Sequence, residues 1–148
     1  MSGYLLDTNA ISMFSPWKAN VSSAFSDWMD EQKKADSIYL SAVTIHEIEK
    51  GVRLLEHKGA IAKANSIHLW LQGLVLVYGN NILPLDTDVA MESGKLEALA
   101  VASGYRPGAA DAIIAGTAKF HEMTIITHNL KHFLPFEIAV ESPDRIGL

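Results

Sequence analysis

The chain has 148 residues, of which 49% are apolar and 20% are charged, and its formal net charge is −5 at pH 7. This length and composition predict one globular domain, residues 1–148, with a core large enough to fold without covalent cross-links. The sequence contains no cysteine, which excludes disulfides, thiolate catalysis and cysteine-ligated zinc. The acidic balance argues against a nonspecific coat on nucleic acid, but it is compatible with a site that concentrates acids around a cation.

The apolar segments do not have the pattern of targeting or membrane sequences. Asp7 interrupts the first apolar run and no basic region precedes it, so no signal peptide is expected. The longest apolar stretch, residues 69–77, is too short to span a bilayer. We therefore expect a soluble cytoplasmic protein with no membrane partner.

Short apolar runs alternate along the chain with longer segments of helical periodicity. In chain order, this pattern predicts a strand at 4–6, a helix from about residue 9, a helix at 21–31, a strand at 37–40, a helix that ends at residue 59, a helix at 60–77, a strand at 82–85, a helix that continues to residue 102, a helix around residue 111, a strand at 124–127 and a candidate fifth strand at 137–140. Strands that alternate with helices favour an α/β fold with a parallel sheet covered on both faces. Ligands of such sheets gather beyond the carboxyl ends of the strands.

Two aspartates lie beside strongly apolar segments. Asp7 ends the first apolar run, and Asp111 opens the segment Ala112-Ile113-Ile114-Ala115-Gly116. Capping of a helix N-terminus is the alternative role for each of them. Because a carboxylate is costly to bury without a compensating cation, we interpret both as candidate ligands of a hard divalent metal.

The third acidic position is ambiguous from the sequence pattern. Glu47 and Glu49 border opposite sides of an apolar helix face, so periodicity does not choose between them. Gly51 lies one turn beyond Glu47 and leaves space above that carboxylate. A solvated helical glutamate is the alternative interpretation of either residue.

Other polar residues have simpler explanations. Asp86 and Asp88 precede a predicted helix, and capping accounts for both, with Asp86 or Thr87 as the cap. His128 and His132 have the spacing of a helical zinc pair, but His128 lies just beyond a predicted strand and no third ligand is evident.

Several segments of the chain are characteristic in combination. They are Leu5-Leu6-Asp7-Thr8-Asn9-Ala10-Ile11-Ser12, residues 41–51, Ile82-Leu83-Pro84-Leu85-Asp86, Asp111-Ala112-Ile113-Ile114-Ala115-Gly116-Thr117-Ala118, and Thr124-Ile125-Ile126-Thr127-His128-Asn129 followed by Phe133. Together they resemble the PIN-domain family, and within it the VapC-type toxins of prokaryotic toxin–antitoxin pairs. Each segment is weak alone, whereas their order and spacing make the combination specific.

The resemblance implies a single PIN domain with a three-layer α/β/α fold around a parallel sheet of four to five strands. It also implies an acidic pocket that binds Mg²⁺ or Mn²⁺. In that register Asp7, Glu47 and Asp111 match the acids of the family, as metal ligands and catalytic residues, and Glu47 rather than Glu49 is the second acid.

Four further residues match the surroundings of that pocket. Thr8, Asn9, Thr127 and Asn129 would hold the carboxylates or the phosphate in place. Relatives often carry additional acids where this chain has Asn129 and His132. This departure argues against firm binding of a second metal.

The activity that the resemblance implies is metal-dependent hydrolysis of RNA phosphodiester bonds by an endoribonuclease that a cognate antitoxin inhibits. The alternative is a catalytically weak PIN-fold binding module that acts with an antitoxin in operator autoregulation. A phosphoaspartyl hydrolase of haloacid-dehalogenase type is a weaker rival, because it needs an acid two positions after Asp7, where this chain has Asn9.

The expected partners are an RNA substrate, a cognate antitoxin and a second copy of the chain. The resemblance implies a homodimer and a toxin–antitoxin hetero-oligomer that binds operator DNA through the antitoxin. Residues 69–77 carry more apolar surface than one helix face buries, so we expect part of the 60–77 helix at the dimer interface, with burial against the sheet as the alternative. We also expect the acidic pocket to accept an Arg or Lys of the antitoxin.

Overall fold

The computed structural model describes residues 3–18 and 21–146, and its centre is a five-stranded sheet. The strands are β1 (Gly3–Leu6), β2 (Ile38–Ser41), β3 (Ile82–Leu83), β4 (Met123–Ile126) and β5 (Val140–Glu141). Their order across the sheet is β3-β2-β1-β4-β5, and all the pairings are parallel. The predicted parallel sheet is thus confirmed.

The strands are connected by helices, as the alternating pattern predicts. The helices are α1 (Thr8–Ser12), α2 (Ser23–Lys34), α3 (Ala42–His57), α4 (Ile61–Tyr78), α5 (Thr87–Ala102), α6 (Ala109–His121) and α7 (Leu130–Phe133). Short 3₁₀ turns lie at Gly79–Asn81, Leu134–Phe136 and Pro143–Arg145. The Asp86 carboxylate caps α5 by accepting a 2.9 Å hydrogen bond from the Val89 amide, which selects Asp86 over Thr87 as the cap.

Consecutive residues of the central strands face opposite sides of the sheet, and each side has its own core. Leu6 and Ile126 pack in a cluster with side chains of α1, α2, α3 and α4. Leu5 and Ile125, the preceding residues in the same strands, pack with side chains of α5, α6 and α7. This alternation follows from the period of two in a strand. It produces the predicted three-layer α/β/α arrangement.

Two predicted strands have different bounds in the structure. The fifth strand is Val140–Glu141 rather than 137–140, because Glu137 adopts a left-handed conformation (φ 52°) after the 3₁₀ turn at Leu134–Phe136. The pairing of this segment with β4 starts at the Ala139 carbonyl, which accepts a 3.0 Å hydrogen bond from the Ile125 amide. The third strand stops at Leu83 rather than at residue 85, since Pro84 has no amide to extend the ladder.

The helices α5 and α6 approach each other closely at Gly116. A Cβ atom at that position would lie 2.7 Å from both the Cα and the backbone nitrogen of Ser93. Only glycine fits this contact. The contact therefore sets the distance between α5 and α6, the helix that carries Asp111.

The α4 helix is apolar on more than one side. Leu71, Leu74 and Tyr78 are buried in the core, whereas Leu76 is 84% exposed and Val77 is 70% exposed. The predicted excess of apolar surface over this segment is therefore present. Among the residues that the structure describes, no helix has the length and hydropathy needed to cross a membrane.

Candidate active site

The carboxyl edge of the sheet is where β1 and β4 end side by side. Leu6 pairs with Ile126, so the next residues, Asp7 and Thr127, are neighbours as the chain leaves the sheet. The Asp7 amide donates a 3.1 Å hydrogen bond to the Ile126 carbonyl, which fixes this register. Both side chains are buried, Asp7 at 4% exposure and Thr127 at 0%.

Two donors hold the Asp7 carboxylate. The Ala10 amide donates a 2.8 Å hydrogen bond to Oδ1, so Asp7 caps α1, and the Thr127 hydroxyl donates a 2.5 Å hydrogen bond to Oδ2. Burial nevertheless raises the pKa of Asp7, and the charge of Asp111 raises it further, against the lowering effect of these hydrogen bonds. The metal-free site therefore disfavours the charged form of Asp7.

Asp111 lies in the first turn of α6, whose N-cap residue is Gly108. Burial also raises the pKa of the Asp111 carboxyl, as does the charge of Glu47, whereas His132 lowers it. The Nδ1 atom of His132 lies 3.4 Å from Oδ2 of Asp111. Asp111 is thus electrostatically linked to both other candidate acids, because it also raises the pKa of Asp7.

Glu47 and Glu49 lie in different surroundings on α3. The Thr8 hydroxyl donates a 2.5 Å hydrogen bond to Oε1 of Glu47, and Thr8 Oγ1 also lies 3.1 Å from the hydroxyl of the buried Thr44. Glu49 instead accepts a 2.8 Å hydrogen bond from Nε of Arg53. Glu47 is also the glutamate whose charge raises the pKa of Asp111, whereas Glu49 lies in a surface ion pair.

The remaining predicted residues differ in how they enter the site. Asn9 is exposed on α1 and lines a groove together with Thr8 and Glu47. Asn129 contributes its backbone amide, which donates a 2.9 Å hydrogen bond to Thr127 Oγ1. His128 and His132 do not face a common point, since Nδ1 of His128 lies 3.7 Å from Asp144 Oδ2.

The donor chemistry of the site fits a hard divalent cation. Asp7, Glu47 and Asp111 offer carboxylate oxygens, the ligands that Mg²⁺ and Mn²⁺ prefer. Over residues 3–18 and 21–146, however, no three Asp, Glu, His or Cys side chains lie close enough together to form a ready-made metal site. Asp7 is fixed, whereas Asp111 and Glu47 are partly exposed, so an ion would have to draw these two side chains inwards.

Two contacts at the site were not anticipated from the sequence. The first is the hydrogen bond between the hydroxyls of Thr8 and Thr44. The second is the pairing of His132 with Asp111, since the sequence indicates His132 only as a replacement for an acid of the relatives or as a zinc ligand. A polar residue in the first turn of a helix that follows a strand is the signal that could have indicated Thr44. The sequence holds no comparable signal for the contact of His132, because it depends on how α7 packs beside α6.

Comparison with known proteins agrees with this geometry. The sequence pattern of the PIN domain matches residues 4–133. The chain belongs to the PIN-domain family. Its α/β/α architecture is the one expected from the resemblance, and the family assignment is confirmed.

Within the PIN-domain family, the chain is similar to named toxins. It is 35% identical to the toxin FitB of Neisseria gonorrhoeae over 140 residues, which cover 94% of this chain and 96% of FitB. It is 35% identical to the VapC ribonuclease Y4jK of Sinorhizobium fredii over 136 residues, 91% of each protein. The crystal structure of FitAcB from Neisseria gonorrhoeae superimposes with a TM-score of 0.80 at 34% identity and covers 97% of this chain and 99% of that one.

Proposed function

We propose that this PIN-domain protein is a metal-dependent endoribonuclease and the toxin of a toxin–antitoxin pair. The observation that carries the proposal is the linkage of three acids from distant parts of the sequence at one edge of the sheet. Burial raises the pKa values of Asp7 and Asp111, the charge of Asp111 raises the pKa of Asp7 further, and the charge of Glu47 raises the pKa of Asp111. A cation bound at the carboxyl edge of the parallel sheet would relieve the repulsion between these acids and favour their charged forms. The names of the relatives, a toxin and a VapC ribonuclease, support the same activity.

Asp7 and Asp111 would hold Mg²⁺ or Mn²⁺ directly, and Glu47 would hold it directly or through water. The ion, when bound, would neutralise charge on the phosphate and favour ionisation of the attacking water. Thr127 and the Ala10 amide keep the Asp7 carboxylate in one orientation. Thr8 occupies Oε1 of Glu47, which leaves Oε2 to orient the hydrolytic water and accept its proton.

RNA cleavage by the purified chain tests this proposal. With Mg²⁺ present, we expect the wild type to cleave single-stranded RNA and Asp111→Asn to cleave none. Glu49→Gln is the matched control, because it also removes one carboxylate but from a surface ion pair with Arg53. Equal cleavage by Asp111→Asn and the wild type would place the activity elsewhere.

A catalytically weak binding module is the second candidate. Two observations favour it: the three acids are not gathered into a ready-made metal site among the described residues, and His132 already pairs with Asp111. In this alternative the acidic pocket only receives a cationic side chain of the antitoxin, and the pair regulates its operator. Absence of RNA cleavage together with intact antitoxin binding would select it.

The antitoxin is the proposed protein partner in both cases. An Arg of the antitoxin would pair with the acids of the pocket and compete with the metal, since its planar fork matches carboxylates. We expect the affinity for Mg²⁺ to fall when the antitoxin is bound. Unchanged Mg²⁺ affinity in the complex would exclude a cation in the pocket.

A second copy of the chain is the proposed occupant of the exposed α4 surface. Leu69 and Leu76 lie two turns apart on this helix and are 68% and 84% exposed, and residues 69–78 include no charged side chain. An uncharged apolar face of this kind is self-complementary across a two-fold axis. Light scattering should show a dimer for the wild type and a monomer for Leu76→Glu, whereas a monomeric wild type would contradict the proposal.

A further inference from the structure

A second pocket lies directly beside the candidate acids, on the side of Asp111. It has a volume of about 300 Å³, and its walls are Tyr105, Arg106, Pro107, Gly108, Asp111, Lys131, His132 and Pro135. The loop before α6 supplies one wall and α7 supplies the other. This volume is at the lower end of the range of about 300–1,000 Å³ for small-molecule sites, which suits one nucleotide.

Cationic side chains line this pocket, although the protein as a whole is acidic. The chain carries a net charge of −5, yet Arg106 and Lys131 both line the pocket and both are exposed. Neither forms an ion pair with any residue of the ranges 3–18 and 21–146. Two unpaired cations beside the acids are suited to hold a phosphate that the acids alone would repel.

The pocket also contains an aromatic ring that is not used in the core. Tyr105 is 50% exposed at the pocket, and the other apolar side chains that line the pocket are those of Pro107 and Pro135. An exposed ring next to unpaired cations is the combination that binds single-stranded nucleic acid, with the base on the ring and the phosphate on the cations.

We propose that this pocket binds the nucleotide that adjoins the scissile phosphate of single-stranded RNA. Arg106 and Lys131 contact its phosphate, and Tyr105 stacks on its base. This inference rests on the proposed ribonuclease function and deepens it, because it assigns the residues that position the substrate. It predicts a preference for unpaired over duplex RNA, since a paired base cannot stack on Tyr105.

The test is the binding of a short, fluorescently labelled single-stranded RNA to the full chain without divalent metal, so that binding is measured without cleavage. Arg106→Gln and Lys131→Gln should each weaken binding about tenfold. Each should also reduce the slope of log affinity against log salt by about 0.7, the value for one phosphate contact to a single strand. Lys119→Gln removes an exposed cation of α6 outside the pocket, and it is the matched control.

The stacking contact has its own pair of variants. Tyr105→Ala should weaken binding about 5- to 150-fold, whereas Tyr105→Phe should bind like the wild type. An abasic nucleotide at the stacked position should make Tyr105→Ala indistinguishable from the wild type.

The outcomes separate this proposal from the proposed function. If the wild type cleaves RNA with Mg²⁺ while the Arg106, Lys131 and Tyr105 variants bind RNA like Lys119→Gln, the nucleotide pocket is wrong and the ribonuclease function stands. A wild type that neither binds nor cleaves RNA overturns both. Equal binding of duplex and single-stranded RNA contradicts the stacking contact alone.

Discussion

The Thr127 hydroxyl donates a 2.5 Å hydrogen bond to Oδ2 of Asp7, across 120 positions of sequence. The two residues meet because β1 and β4 are adjacent and end at the same level of the sheet. Thr127 Oγ1 also accepts a hydrogen bond from the Asn129 amide. One buried hydroxyl therefore orients the candidate metal ligand and the start of the segment that leads to α7.

Thr127→Val should destabilise the protein and impair its site. The substitution keeps the shape of the side chain but leaves Oδ2 of the buried Asp7 carboxylate without a donor, while the Ala10 amide still donates to Oδ1. We therefore expect the free energy of unfolding to fall by about 1.5–3 kcal/mol at neutral pH. The pKa of Asp7 should rise further, because this hydrogen bond lowers it. Urea denaturation measures the first effect. Thr127→Ser, which retains the hydroxyl, should be close to the wild type, and equal losses in Val and Ser would indicate a packing role.

Glu47 and Glu49 should differ sharply in their effect on activity. Glu47→Gln removes the proposed proton acceptor, so we expect RNA cleavage with Mg²⁺ to fall about 10²- to 10⁴-fold. Glu49→Gln loses only an exposed ion pair with Arg53, and little change is expected. Single-turnover rates on the same RNA make the comparison. The reverse order of losses would show that the register is wrong.

The metal-free protein should lose stability relative to Asp7→Asn as the pH rises. The pKa of Asp7 is raised above 3.8 in the folded state, so this state binds more protons than the unfolded chain and is destabilised as the pH rises through the raised pKa. Below pH 3.8 the Asp7 contribution is fully present, and the difference between the two proteins should be flat.

Denaturation at a series of pH values with chelator present checks this expectation. Asn at position 7 can still accept a hydrogen bond from the Ala10 amide, so the cap of α1 is retained. If the wild type instead gains stability over Asp7→Asn as the pH rises, the charge of Asp7 is stabilising, and capping is its main role.

Two glycines on the packed helices α5 and α6 should respond in opposite directions to alanine. Gly116→Ala places a Cβ atom 2.7 Å from the backbone of Ser93, and we expect a loss of about 1–3 kcal/mol as the helices separate. Gly94→Ala meets nothing within 4 Å and should gain about 0.5–1 kcal/mol from reduced chain entropy. Thermal unfolding of both variants gives the answer, and a stable Gly116→Ala protein would contradict the close helix contact.

Much of the architecture was predictable because it depends on local patterns. Short apolar runs such as Tyr4-Leu5-Leu6, which alternate with longer helical segments, indicate a parallel sheet with helices on both faces, and the structure has them. The order of strands and helices then places Asp7 at the edge where ligands of parallel sheets gather.

What the sequence could not predict depends on contacts between distant elements. Helical periodicity does not decide whether Glu47 or Glu49 belongs to the site. The packing of α1 against α3 distinguishes them, because it places the Thr8 hydroxyl on Glu47. The start of β5 is set by the left-handed Glu137, which local alternation does not reveal. The pocket with Arg106 and Lys131 arises where the loop before α6 faces α7, although these residues are 25 positions apart in the sequence.

The most direct measurement for the central claim is the dependence of RNA cleavage on Mg²⁺ concentration, recorded for the wild type and Asp7→Asn purified side by side. Asp7 is buried, and the substitution is nearly isosteric, so a folded variant with an altered site is expected. We predict that wild-type cleavage is absent in chelator, rises and saturates with Mg²⁺, and is restored when the metal is returned, whereas Asp7→Asn shows none at any concentration. Cleavage by the wild type in chelator, or equal cleavage by Asp7→Asn, would contradict a metal-dependent site at this aspartate.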